Sequence, residues 1–224
     1  MIAATPSDPS APAERGRWED LTLSVEAVMR VALHLLAGGT FVTVAAFVAL
    51  WGLPRLPADV GAFVGRALWQ GGVFALVYAA SAFVHEALHA AGMLVFARVP
   101  LRSIRFGMRL SEGVLYVHTG RPMTVRAYRG VLALPGVVQG VVPLVAGVAL
   151  DSGWMAAYGL IMLASAAGDV AVLRLLRGLT PDRLVRDHPH DVGCQVWERE
   201  GERESGRVGE GKRGSATGAG LTPT

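Results

Sequence analysis

The chain is poor in cysteine, in lysine and in charge. Cys194 is the only cysteine among 224 residues, which excludes an intramolecular disulfide and a zinc site built from cysteines. Charged residues make up 17% of the chain and hydrophobic residues 52%, a balance that disfavours an ordinary soluble domain and indicates several membrane spans. Lys212 is the only lysine, and the arginines cluster in loops beside apolar blocks. This placement is typical of membrane orientation, so we expect no nucleic-acid partner.

Four apolar blocks are long enough to cross a bilayer, which takes about 20 residues of helix. The predicted spans are residues 31–53, 68–98, 131–150 and 154–176. Residues 1–17 and 196–224 have the composition of disordered ends. Residues 18–195 are predicted to form one membrane-embedded domain, with an amphipathic lead-in at 18–30 and the lipid bilayer as partner.

The basic region between spans two and three has the pattern of a β-hairpin. Apolar residues alternate with polar or small ones over 104–110, residues 111–113 (Ser-Glu-Gly) supply a turn, and residues 114–117 are a second apolar run. The predicted fold class is therefore mainly α: a four-span helical bundle with a small cytoplasmic β-hairpin between spans two and three.

The arginines predict the orientation. Seven lie at the end of span two or between spans two and three, and four more lie at the end of span four or closely after it. By contrast, the loop at 54–59 has one arginine, offset by Asp59, and the loop at 151–153 has none. The positive-inside rule places the hairpin and both termini in the cytoplasm, which requires an even number of spans.

The second span contains His85-Glu86-Ala87-Leu88-His89 in otherwise apolar surroundings. Ionisable groups inside a span are costly and usually mark a function. Residues four apart share one face of a helix, so both imidazoles can reach one metal ion. Glu86 lies about 100° around the helix from His85, beside that ion, where it can act as a base for water. Only six histidines occur in the chain, so this spacing predicts a Zn2+ site.

Asp169 is the only acid inside another span and is the predicted third ligand, since catalytic zinc usually has three protein ligands. At 1.5 Å per residue, His89 lies about 14 Å from Arg98 and Asp169 about 12 Å from Arg177, so antiparallel spans bring them to similar depth. The alternatives for Asp169 are a carboxylate neutralised by burial or one paired with Arg174.

Three further histidines receive weaker expectations. The segment Asp187-His188-Pro189-His190 could add a metal ligand through His188 or His190, but its composition favours a turn and cap after the last helix. His118, near the end of a predicted strand, is expected at the surface.

Four stretches of the chain are similar to one known family. They are the motif at 85–89, the hairpin with Phe106-Gly107, residues 165–169 (Ser-Ala-Ala-Gly-Asp) and residues 187–194 (Asp-His-Pro-His-Asp-Val-Gly-Cys). Together they cover about residues 68–195 and resemble a family of bacterial membrane proteins described as putative zincins, which is similar to site-2 proteases. The resemblance implies zinc ligands at His85, His89 and Asp169, a catalytic Glu86, and the bacterial cytoplasmic membrane as location.

The leading hypothesis is a membrane-embedded zinc metallopeptidase that cleaves a membrane-associated protein or peptide. One alternative is a metal-dependent membrane hydrolase of a non-peptide substrate. The other is a non-catalytic membrane protein with a structural metal site. Glu86 favours the enzymes, because a structural site needs no base.

Overall fold

The computed structural model describes residues 16–53, 59–109, 114–188 and 191–199. Its first half contains β1 (Gly16–Thr22), α1 (Val25–Trp51), α2 (Val60–Val95), β2 (Ile104–Arg109), β3 (Val114–Thr119) and β4 (Met123–Thr124). Its second half contains α3 (Val125–Pro135), a π-helical segment (Gly136–Val141), α4 (Val142–Ala149), α5 (Gly153–Ser165), α6 (Ala167–Leu175), β5 (Leu184–Asp187) and β6 (Gly193–Arg199). Because the structure is 68% helical, the mainly α prediction is confirmed.

Three helices are long and apolar enough to cross a membrane: Val25–Trp51, Val60–Val95 and Val125–Ala149. The last of these joins α3, the π-helical segment and α4. Gly153–Ser165 and Ala167–Gly178 pass the same test as a pair, with a bend of 48° between them. The chain is therefore compatible with a membrane protein of three or four spans, and each predicted span overlaps one of these helices.

Side-chain caps place the starts of the long helices. Ser24 accepts a hydrogen bond from the backbone N–H of Ala27 at the start of α1, and Asp59 accepts one from Ala62 at the start of α2. Asp59 starts α2 eight residues before the predicted span, so this helix has 36 residues and a length of about 54 Å. Helix α1 ends at Trp51 and is capped by Gly52, whose φ of 82° favours glycine.

A buried polar cluster ties three helices together one turn before the histidine motif. Gln139, in the π-helical segment, donates from Nε2 to the backbone oxygen of Ser81 over 3.0 Å. The Ser81 hydroxyl lies 2.8 Å from the hydroxyl of Tyr158 on α5. Pro135 ends α3 immediately before the π-helical segment and has no N–H to donate to a helical bond. The cluster fixes α2 against the third and fourth apolar helices at the level of the site.

A four-stranded antiparallel sheet, in the order β1-β6-β5-β4, joins three distant parts of the chain. β1 pairs with β6 from Gly16↔Arg199 to Thr22↔Gly193, and β4 pairs with β5. The predictions of disorder at 16–17 and 196–199 are therefore wrong, and residues 18–22 of the predicted amphipathic lead-in belong to strand β1. Paired residues of β1 and β6 are more than 170 residues apart in the sequence, as in the hydrogen bond between Gln195 and Asp20, so no local pattern reveals the sheet. The rest of the predicted disordered ends lies outside the described residues.

The predicted hairpin is confirmed as the antiparallel pair β2 and β3, with Phe106 opposite Val117. Its predicted turn, at 111–113, lies outside the described residues. The main apolar core forms where the four-stranded sheet meets the ends of α2, α3 and α6, and Val125, Leu176, Val185 and Cys194 are fully buried there. This core holds the sheet beside the histidine motif.

Candidate metal centre

His85 and His89 lie one turn apart on α2 and face the same side of the helix. Their ring centroids are 4.9 Å apart, with an angle of 76° between the ring planes. Only 16% of the His85 side chain and 11% of the His89 side chain are exposed. The helical spacing predicted from the motif therefore brings both rings into one partly buried position.

Asp169 reaches these rings from the first turn of α6, just after the bend at Ala166. Its Oδ2 lies 3.2 Å from Nε2 of His85, and its Oδ1 lies 3.4 Å from Nε2 of His89. One ligand atom from each of the three residues lies within 4.8 Å of the others. Within the described part of the chain, this is the one group of three such side chains close enough to share a metal ion.

A hydrogen bond from the far side of its ring orients His89. Nδ1 of His89 lies 3.2 Å from the backbone oxygen of Val131 on α3. Because a carbonyl oxygen can only accept, Nδ1 carries a proton, which leaves Nε2, on the side of Asp169, as the nitrogen that could bind a metal ion. Metal-binding histidines are commonly oriented in this way.

The three side chains fit zinc in both chemistry and spacing. Two imidazole nitrogens and one carboxylate oxygen are a usual catalytic donor set for this metal. In a tetrahedral site with bonds of about 2.05 Å, neighbouring ligand atoms are separated by about 3.3 Å. The distances of 3.2 Å from His85 to Oδ2 of Asp169 and 3.4 Å from His89 to Oδ1 are near this value but end on different oxygens. One ligand atom of each residue lies within 4.8 Å of the others, which is close enough for the three to share one ion.

Glu86 lines the same cleft but is not part of the converging group. Its carboxylate accepts a hydrogen bond from the backbone N–H of Val117 on β3. The hairpin therefore holds this carboxylate beside the two histidines, in the place that the helical geometry predicts for a base.

The cleft has a volume of about 490 Å³ and is lined by α2, β3, α3, α6, β5 and residues 191–193. A second cavity of about 240 Å³ also contacts His85, Glu86 and Ser165, so these residues are reached from two sides. A substrate can therefore approach the candidate metal centre through open space formed by both helices and strands.

The segment that starts at Asp187 does not cap a helix. Asp187 ends strand β5, and the expectation of a helix cap is wrong because this part of the chain pairs with β6. His188 is not among the converging ligands: its Nε2 lies 3.6 Å from Asp20 and its Nδ1 lies 3.5 Å from Asp191. Pro189 and His190 lie outside the described residues.

His118 belongs to the cleft, which the sequence did not predict. Its side chain is 37% exposed, lines the cleft, and places Nδ1 3.6 Å from Oδ2 of Asp187. This contact raises the pKa of His118 above its usual value. The signal that could have placed His118 is the two-residue alternation of β3, which puts it on the same face as Tyr116. Its partner on β5 could not be identified locally.

Comparison with known protein families points to a zinc-dependent peptidase. Residues 78–182 match the model of a protein family described as "Putative zincin peptidase". The matched region contains the histidine motif, the hairpin and Asp169, and it confirms the resemblance inferred from the sequence. It suggests a metallopeptidase with zinc as the metal. No curated protein and no solved structure matches the chain.

Proposed function

We propose that the protein is a membrane-embedded zinc metallopeptidase that hydrolyses peptide bonds of membrane-associated proteins or peptides, in or near the bilayer. The observation that carries this proposal is the convergence of His85, His89 and Asp169 beside the carboxylate of Glu86 in one cleft. The family match over residues 78–182 supports the same class of reaction.

The roles of the residues follow from their positions. His85, His89 and Asp169 would hold zinc, which supplies Lewis acidity when bound. Glu86 takes a proton from the attacking water, whose oxygen forms a bond to the peptide carbonyl carbon. Glu86 then passes this proton to the nitrogen of the C–N bond that breaks. A structural metal site needs no such base, so Glu86 favours an enzyme over a non-catalytic protein.

Exposed apolar surface supports a location in the bilayer. In the most apolar 18-residue stretch of α1, and likewise of α2, only 6% of the residues are buried inside the protein. Phe41 on α1 is 75% exposed and Leu76 on α2 is 74% exposed. Water would be an unfavourable environment for such large apolar faces, whereas lipid chains would cover them.

The four-stranded sheet supports a topology with four spans. It hydrogen-bonds β1, which precedes α1, to β6, which follows α6, and it also contains β4, from the connection between α2 and α3. These three segments therefore lie on one side of the helices. Segments separated by an even number of membrane spans lie on the same side of the bilayer, so this arrangement agrees with four spans. The arginines of the connection between α2 and α3 then favour the cytoplasm of a bacterium for this side and for both termini.

Zinc quantification on detergent-purified protein tests the proposal. We expect about one zinc per wild-type chain and a loss of most of the metal in His85→Ala, His89→Ala and Asp169→Ala. Asp182→Ala is a matched control, because this carboxylate is 87% exposed and lies outside the cleft. Full zinc occupancy in Asp169→Ala would rule out its role as a ligand, and a wild type without metal would contradict the proposal itself.

A further inference from the structure

A second polar group lines the cleft beside the candidate metal centre. It consists of His118 on β3, Tyr128 on α3 and Asp187 on β5. None of the three belongs to the converging metal ligands among the described residues. The proposed roles of the zinc ligands and Glu86 therefore leave this second group unused.

Asp187 is held in a defined position by three neighbours. Its Oδ2 lies 3.6 Å from Nδ1 of His118 and accepts a hydrogen bond of 3.5 Å from the backbone N–H of Thr119. The hydroxyl of Tyr128, which is 3% exposed, also forms a hydrogen bond with Asp187. These contacts from β3 and α3 fix the carboxylate, which in turn fixes the ring of His118.

The contact with Asp187 leaves one end of the His118 ring for a ligand. Nδ1 faces the carboxylate, and in the described part of the chain Nε2 has no protein partner. Asp187 raises the pKa of His118, while partial burial of the ring and, to a smaller extent, nearby Arg186 oppose this effect. The charged imidazolium, which carries a proton on Nε2, is thereby favoured. Such an N–H can only donate, and it suits an oxygen acceptor.

Strand β3 connects His118 to the proposed base. Val117 donates its backbone N–H to Glu86, and His118 is the next residue along the strand. Any peptide placed next to Glu86 therefore lies beside this strand, within the same cleft. The acceptors that a peptide main chain offers to an N–H donor are its carbonyl oxygens.

We propose that His118 is a substrate-binding residue of this cleft, which donates a hydrogen bond from Nε2 to a carbonyl oxygen of the peptide substrate. Asp187 is the positioning residue that holds the imidazole for this contact. The inference rests on the proposed peptidase function and assigns part of its substrate recognition.

Two hydroxamates, of which only one carries an amide carbonyl beyond its metal-binding group, test the inference. Both acetohydroxamate and N-acetyl-leucine hydroxamate bind metal through the hydroxamate, but only the second has an amide carbonyl beyond it. Their affinities are measured by calorimetry on zinc-loaded wild type, His118→Ala, His118→Gln and Arg105→Ala. Arg105 pairs with His118 across the hairpin and does not line the cleft, so it is the matched control.

We expect His118→Ala to lower the affinity for N-acetyl-leucine hydroxamate about tenfold. The affinity for acetohydroxamate and the zinc content should stay unchanged. His118→Gln, which keeps an N–H donor, should recover much of the loss, and Arg105→Ala should behave as wild type. The inference is overturned if wild type binds the two hydroxamates equally, including not at all, or if His118→Ala leaves their affinity ratio unchanged. A wild type that binds no zinc would instead remove the proposed function.

Discussion

His89 donates a hydrogen bond from Nδ1 to the backbone oxygen of Val131, 3.2 Å away, and so links the candidate metal centre to α3. One turn further along α2, Gly92 packs against the same residue. A Cβ added at Gly92 would lie 3.0 Å from the Cα of Val131, closer than side-chain carbons normally approach. The close contact between α2 and α3 therefore sets the orientation of the His89 ring.

Gly92→Ala is predicted to weaken zinc binding without touching a ligand. The added methyl group pushes α2 away from α3, which lengthens the bond between His89 and Val131. We expect zinc affinity to fall by about tenfold, as for the loss of other partners that orient a metal ligand. Overpacking should also lower the free energy of unfolding by about 1–3 kcal/mol. Chelator competition and thermal unfolding in detergent measure the two effects.

Gly71→Ala is the control on the same helix, because a Cβ there meets nothing within 4 Å. It should keep wild-type zinc affinity and unfold at the wild-type temperature or slightly above it, since alanine favours helix. Equal zinc affinity in Gly92→Ala and Gly71→Ala would mean that the contact with Val131 does not orient His89.

Glu86→Gln is predicted to separate chemistry from metal binding. The amide keeps the size of the side chain but cannot take a proton from water, so turnover should fall at least about a hundredfold. Zinc content should stay near the wild-type value, because Glu86 is not among the converging ligand atoms. Membrane proteins that accumulate in cells expressing this variant, relative to wild type, identify substrates and allow the rate to be measured on them.

Glu26→Gln, on α1 and outside the cleft, is the matched control and should keep both zinc and turnover. Loss of zinc from Glu86→Gln would make this residue a ligand or a structural partner. Retention of both zinc and full turnover would contradict the proposed mechanism.

The helices and the converging group of candidate metal ligands could be predicted because their signals are local or costly. Apolar length identifies a span, and the spacing of His85 and His89 places both on one helical face. Asp169 could be predicted as a ligand because an isolated acid within an apolar segment requires a partner. Matching depths then assigned it to the histidines, and the structure brings the three together.

The remaining parts of the cleft depend on pairing between distant segments. Strands β1 and β6 come from opposite ends of the described chain, and Asp187 contacts His118 from β5, which lies in the same sheet as those strands. Likewise, a backbone oxygen such as that of Val131 carries no sequence signal. Period and composition describe one segment at a time, so they cannot show which segments meet.

The pair His118 and Asp187 predicts a pH dependence of stability. The carboxylate raises the pKa of His118 in the folded protein above the unfolded value of about 6.5. The pair therefore contributes its full stabilisation below about pH 6.5, and this contribution is lost as the pH rises through the folded pKa. Asp187→Asn should lower the pKa of His118, as measured by NMR titration of the ring, and Asp182→Asn should not. An unchanged pKa in Asp187→Asn would show that the carboxylate does not control this ring.

Cysteine labelling of intact cells should show Ser152 outside and Arg121 inside. Ser152 starts α5 without a capping hydrogen bond, and Arg121 is exposed between β3 and β4, so both positions tolerate substitution by cysteine. Native Cys194 does not interfere, because it is fully buried and burial raises the pKa of its thiol to about 12, which leaves almost no reactive thiolate. A membrane-impermeant maleimide should therefore label Ser152→Cys in intact cells, label Arg121→Cys only after permeabilisation, and leave the wild type unlabelled. β4 shares one sheet with β1 and β6. Labelling of Arg121→Cys from outside would therefore mean that the protein has the opposite orientation in the membrane, with the whole sheet on the external face.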